Sequence, residues 1–154
     1  MSDTASSPGS DLVVFAYDGS DLAKAAIDEA GHQLGAGRDA LVLTVWEPFA
    51  VGFVPPSEAR FDAARAAEVE KAAEHTAAEG ATLAETAGFR PRSRAVQSAP
   101  TWKGIVEFAD EHDASIIVLG SHGRTRLSDR LLGSVAGAVA AHSRRSVLIV
   151  HRRS

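Results

Sequence analysis

The chain has no cysteine, so disulfides and thiolate metal sites are excluded. It has no apolar run near the roughly 20 residues that a membrane-spanning helix needs. The opening stretch, MSDTASSPGS, carries neither the basic start nor the apolar segment of a secretory signal. It reads as a disordered leader over 1–10, with a single domain over 11–151 and a cytoplasmic location expected. Positive charge is in short supply: 16 Lys and Arg stand against 20 Asp and Glu, a net −4 with histidine neutral. A dedicated nucleic-acid binder is therefore not expected, although a local basic patch is still allowed. His32, His75, His112, His142 and His151 show no H-x-x-x-H or similar spacing, which argues against structural zinc. Two phosphate-binding signatures are missing as well. Without Gly-Lys-Ser/Thr there is no P-loop, and no G-x-G-x-x-G follows a first strand to make a dinucleotide fingerprint.

What is present is the pattern of one α/β domain. A length of 154 residues with 45% hydrophobic and 23% charged content suits a single globule with a normal core. Leu12–Tyr17 is apolar nearly throughout and reads as a first strand covered on both faces. Asp18-Gly19-Ser20 breaks it, and Ser20 is a plausible helix N-cap. Leu22, Ala23, Ala26, Ile27, Ala30 and Leu34 then mark one helical face. Leu41–Val45 is the second strand. The alanine- and glutamate-rich stretch from Glu58 to Ala87 reads as a long helix with a solvated charged face, disturbed at Gly80. Arg92–Val96 is the third strand, and Pro100 stands near the start of the next helix. Ile116–Leu119 and Ser146–Val150 are the fourth and fifth strands, and Arg144 and Arg145 precede the last where cations favour a helix C-terminus. Alternation with short joins predicts an α/β fold with an open, doubly wound, five-stranded parallel sheet and helices on both faces. If the first and fourth strands are neighbours, the order is 3-2-1-4-5. Asp18 and Gly120 then flank one crevice at the point where the winding reverses.

The chain is organised around Ile116–Ser134, IIVLGSHGRTRLSDRLLGS. A buried strand ends at Gly120, Gly123 follows, and Gly133-Ser134 lead into the apolar helix that begins with Val135. Glycines bring backbone N–H groups close to a ligand with no Cβ in the way. The helix start adds unsatisfied donors and a partial positive charge. Together they make a place for phosphate, with Arg124, Arg126 and Arg130 supplying charge in the same loop.

The spacing G-x2-G-x9-G-S resembles the nucleotide-binding motif of ATP-binding universal stress proteins. The likeness runs from about Leu12 to Val150 through Asp18-Gly19-Ser20, the strand ending at Val45, the VLGSHG turn, LLGSVA and the final SVLIV. It implies a fold like that of the adenine nucleotide alpha-hydrolases, with ATP and accompanying magnesium between the first and fourth strands. By the same resemblance, phosphates rest on Gly120, Gly123, Gly133 and Ser134, with Val135 nearby; Arg124 joins the candidate binding residues through its charge in the loop. Adenine lies against the Val45 backbone, and Ala16, Tyr17 and Asp18 line the nucleoside. The family often pairs through its last strand, which implies a homodimer through Val147–Val150. Ser98, Ser115 and Ser146 stand where relatives often carry glycine, aspartate and proline.

Several residues have a plainer reading beside the functional one. Asp18 can hold the ribose or a metal ion, or simply make an Asx-turn. Ser134 can meet a phosphate or cap its helix. His122 can approach phosphate, but an exposed loop histidine is the expectation. Trp46 can wall the base pocket or pack in the core. Three functions follow: a nucleotide-dependent regulatory or stress-response module, which is favoured; a slow ATP-hydrolysing or phosphoryl-transfer enzyme; and a dimerising scaffold with an empty pocket. Asp18 and Asp129 are the nearby carboxylates by sequence, and the loop has no motif lysine, so catalysis is expected to be weak at most.

Overall fold

The computed structural model describes residues 10–48, 59–123 and 132–153. The strands are β1 (Val13–Ala16), β2 (Asp39–Trp46), β3 (Arg90–Gln97), β4 (Ile116–Gly120) and β5 (Ser146–Val150). Between them lie the helices α1 (Asp21–Leu34), α2 (Ala59–Thr86), α3 (Thr101–Glu111) and α4 (Ser134–His142). All strand pairs are parallel, in the order β3-β2-β1-β4-β5. The first and fourth strands are therefore neighbours, as the 3-2-1-4-5 order requires, and the winding reverses between them. Of the expected leader only Ser10 lies within the described residues, where its Oγ accepts the Leu12 N–H.

Two apolar layers cover the sheet. On one face Val13, Phe15, Tyr17 and Val42 pack with Ala23, Ile27 and Ala30 of α1 and Ala84 of α2. On the other, Val14, Leu41, Leu43, Ile117 and Leu119 pack with Ile105, Phe108 and Ala109 of α3 and Ala136 and Val139 of α4. The alternation along each strand divides its side chains between these layers, which is why β1 is apolar at every position.

Local chemistry sets the helix ends. Ser20 caps α1, its Oγ accepting the Ala23 N–H at 3.2 Å, and Gly35 ends the helix at φ 82°. The N-cap position of α3 is Pro100, which offers no side-chain acceptor. Glu47 replaces it from across the sheet: one Oε1 accepts both the N–H and the hydroxyl of Thr101, each at 3.0 Å. Arg145 does not serve the end of α4 as expected. Its Nε donates to Asp110 and its Nη1 to Asp113, both at 2.9 Å, tying β5 to the end of α3. The Asp110 hydrogen bond, then that of Asp113, raises the guanidinium pKa above its ordinary value.

Helix α2 is unbroken at Gly80, contrary to the expected disturbance. Its buried stripe is made of small residues, with Ala73, Ala77 and Ala84 covered. Gly80 belongs to this seam because the helix lies so close to the sheet that a Cβ there would stand 2.7 Å from Val42 Cγ1 and 2.8 Å from the Tyr17 ring.

The two rims of the sheet differ in chemistry. β3 presents Arg90, Arg92 and Arg94 to solvent, with Pro91 between the first pair. β5 carries Val147 and Ile149 towards one layer and Leu148 and Val150 towards the other, the first three of these side chains in order being only half-buried. The strands β2 and β3 run longer than the apolar pattern suggested. Their ladder extends from Asp39–Arg90 to Trp46–Gln97, through polar positions that hydropathy does not register.

Candidate functional site

A crevice of about 440 Å³ opens at the carboxyl ends of β1 and β4, within the range of small-molecule sites. Ala16, Tyr17 and Asp18 reach it from the end of β1, Val45 from β2, Gly120 and Gly123 from the end of β4, and Gly133, Ser134 and Val135 from the start of α4. Nine of the positions singled out in the sequence thus line one space. Arg124 lies outside the described residues, as do Arg126, Asp129 and Arg130.

Backbone bonds fix the floor. Tyr17 donates its N–H to the Leu43 carbonyl at 2.9 Å, and its own carbonyl accepts the buried Thr44 hydroxyl at 2.8 Å. The Tyr17 ring turns away from the crevice into the α2 layer, where its hydroxyl donates to Glu79 at 2.6 Å. Asp18 does make the Asx-turn: Oδ1 accepts the Ser20 N–H at 3.0 Å. Its position serves the crevice as well, because Oδ2 would stand only 2.6 Å from a Cβ on Gly123. The turn and the lining role therefore coexist.

The glycines at the β4 end are there for close approach. A Cβ on Gly120 would meet Leu22 at 3.0 Å, and one on Gly133 would meet the Ser121 carbonyl at 3.1 Å. Gly133 is the N-cap of α4 and supplies no side chain to cap it. Ser134 is the first helical residue, so the capping alternative for its hydroxyl is set aside. The Gly133 N–H donates to Ser121 at 2.7 Å, and the next N–H groups of α4 open the helix beside the crevice, where an α-helix has no internal acceptor for them. The result is a concave wall of donors at the positive end of a helix dipole.

Some of the lining was not singled out in the sequence. Thr101 and Ile105 come from α3, Ala23 from α1, and Leu43, Leu119 and Ala136 complete the apolar wall. No local signal marks them; Thr101 and Ile105 arrive through the packing of α3 on the sheet, and the others from α1, α4 and the strands themselves. Ser121 and His122, by contrast, sit between two motif glycines and could have been included on position alone. The expectation of an exposed His122 fails. The residue lines the crevice half-buried, and its Nε2 is fully buried with no hydrogen-bond partner among the described residues. Trp46 is buried at the end of β2 and does not line the crevice, which favours the packing alternative.

The family model described as the universal stress protein family matches residues 10–151. The chain belongs to the universal stress protein family. Universal stress protein YxiE of Bacillus subtilis is 32% identical over 154 residues, covering 90% of this chain and 97% of that one. A crystal structure of a universal stress protein in complex with cAMP is 32% identical, with a TM-score of 0.63 over 93% of this chain and 98% of that one. The structure of MJ0577, a universal stress protein of Methanocaldococcus jannaschii, has a TM-score of 0.80 at 24% identity over 95% of this chain and 99% of that one, a likeness of fold. Against this family background, Ser115 shows how a departure is absorbed. Its hydroxyl donates to the Leu12 carbonyl at 3.0 Å and accepts from Arg38 at 2.6 Å, so the turn before β4 is pinned without an aspartate. At Ser98 the relief is different: Gly104 faces it, where a Cβ would stand 2.6 Å from the Ser98 Cβ.

Proposed function

We propose that this universal stress protein binds an adenine nucleotide, ATP with magnesium, in the crevice between β1 and β4, and works as a nucleotide-dependent regulatory module of a stress response in the cytoplasm. The observation that carries the reading is the approach of Gly120, Gly123 and Gly133 to within Cβ-excluding distance of their surroundings, beside the uncapped start of α4. Phosphates rest on Gly120, Gly123, Gly133, Ser134 and Val135, with Arg124 close in sequence. The base lies towards Val45, and the nucleoside runs past Ala16, Tyr17 and Asp18. The cAMP complex of a relative supports an adenine compound as ligand. The donor set also fits the group. Backbone N–H groups and a helix N-terminus suit polyphosphate, and one carboxylate among the described lining residues, Asp18, suits magnesium held largely by phosphate and water.

The same reading includes a homodimer through Val147–Val150. An apolar edge strand left open invites pairing, and two copies of β5 related by a two-fold axis close it. Nucleic acid and membrane are not among the partners; among the described residues no helix is long and apolar enough to cross a membrane. Binding dominates over catalysis because Asp18 Oδ1 is already engaged in its turn and no lysine lines the described crevice. Denaturing the purified protein and identifying the released nucleotide tests the binding. Steady-state turnover decides the enzymatic alternative. A rate near ~1 s⁻¹, within the ordinary enzyme range, that disappears in Asp18→Ala or Asp129→Ala without loss of binding would overturn the module reading.

A further inference from the structure

His122 has one engaged ring nitrogen and one orphan. Its Nδ1 lies 3.1 Å from the Ser121 hydroxyl. Its Nε2 is buried and has no partner among the described residues, a costly state for a polar atom unless a ligand completes it. Ser121 is itself buried and held from both sides: its N–H donates to Val150 at 2.9 Å, and its carbonyl accepts from Gly133 at 2.7 Å. The serine hydroxyl is thus a fixed post against which one end of the imidazole rests. When that hydroxyl donates to Nδ1, the neutral ring carries its proton on Nε2. The opposite arrangement would present a lone pair there.

The surroundings choose between the two. The Cδ2 atom, bonded to Nε2, would stand 3.8 Å from a Cβ on Gly133, so this edge of the ring lies beside the N-cap of α4. The first turn of α4 carries no acidic residue, and its N–H groups and dipole favour an anion. Among the described lining residues Asp18 is the acidic one, and it sits against Gly123. An anion at the start of α4 would be repelled by a lone pair on Nε2 and bound by an N–H.

Resting on the nucleotide reading above, we propose that His122 Nε2–H donates to a phosphate oxygen of the bound nucleotide and makes the crevice select phosphorylated adenine compounds over adenosine. Ser121 is the positioning residue that sets the tautomer. Titration calorimetry of the wild type, His122→Phe, His122→Gln and Ser121→Ala with ATP, AMP and adenosine tests it, with circular dichroism to show that each variant is folded. His122→Phe should weaken ATP and AMP about tenfold, the scale of one hydrogen bond to a charged acceptor, and leave adenosine within about twofold. His122→Gln, which keeps an N–H donor, should recover part of the loss. In 15N NMR the ligand-free imidazole should be protonated at Nε2, and Ser121→Ala should shift that preference towards Nδ1. Equal losses for adenosine and ATP, no loss at all, or a neutral Nδ1–H ring that persists with ATP would each overturn the proposal. If the wild type binds no adenine compound, the nucleotide reading fails by itself. Pyrophosphate then decides His122: movement of its ring resonances supports the phosphate contact, and none overturns it.

Discussion

Gly80→Ala should destabilise the protein although alanine is the better helix former. In an exposed helix the change would gain about 1 kcal/mol. Here the added methyl would stand 2.7 Å from Val42 Cγ1 and 2.8 Å and 2.9 Å from atoms of the Tyr17 ring, where carbon atoms prefer roughly 3.5–4.0 Å. Neither neighbour is a flexible side-chain end. Val42 is β-branched, fully buried and in the body of β2, and the Tyr17 ring is anchored by its hydroxyl to Glu79. The helix must therefore lift from the sheet, an overpacking penalty of about 1–3 kcal/mol that also loosens contacts along the alanine seam. The net expectation is a loss of up to about 2 kcal/mol once the propensity gain is set against it. For a chain of this size each kcal/mol moves the melting temperature by roughly 2–4 °C. Calorimetric melting of the wild type and variant measures it, and in a double-mutant cycle Gly80→Ala should cost less in a Val42→Ala background, which removes the nearest carbon. A Gly80→Ala protein as stable as the wild type would show that the close approach is not what keeps glycine at this position.

The remaining expectations concern ligand, assembly and pH. ATP-magnesium at ~100 times its dissociation constant should stabilise the wild type by roughly 2.7 kcal/mol, a rise of about 5–10 °C; Gly123→Val should abolish the rise by displacing the Asp18 carboxylate that stands against that glycine. Light scattering should give a dimer across micromolar concentrations, weakened in Ile149→Pro, whose strand can no longer donate at that position. The Gln33 amide and then Arg153 hold the Glu29 carboxyl below its ordinary pKa. Its contribution to stability is therefore full above the unfolded carboxyl value and lost as pH falls through the folded one, so Glu29→Gln should flatten the acid side of a melting-temperature profile, and an unchanged slope would contradict it.

The strands and the two strand ends that meet in the crevice were legible because they rest on short-range signals. Apolar runs mark buried parallel strands, and Asp18 and Gly120 mark two strand ends, while the 3-2-1-4-5 order hung on the pairing of the first and fourth strands, which the structure supplies. What escaped the sequence depends on distance in space. Gly80 looked like a flaw in a helix because Val42 and Tyr17, its reasons for being glycine, lie far away in the chain. The cap of α3 was invisible for the same cause, since Glu47 supplies it from 54 residues away. His122 was misjudged because its neighbours in sequence are loop residues, while its burial comes from the packing of the β4 end against α4.

The unlike rims of the sheet bear on how far association can go. A protein that pairs by adding strands end over end needs a receptive surface on both sides. Here the β3 rim offers arginine at Arg90, Arg92 and Arg94 and an imide nitrogen at Pro91, which has no hydrogen to give an incoming strand. Of the two rims the β5 rim is the receptive one, and the proposed pairing with its own copy would use it up. In the proposed homodimer the assembly would terminate itself: two molecules would share one long sheet whose outer borders are both the repelling kind, so the chemistry that would favour a pair would also oppose a fibril.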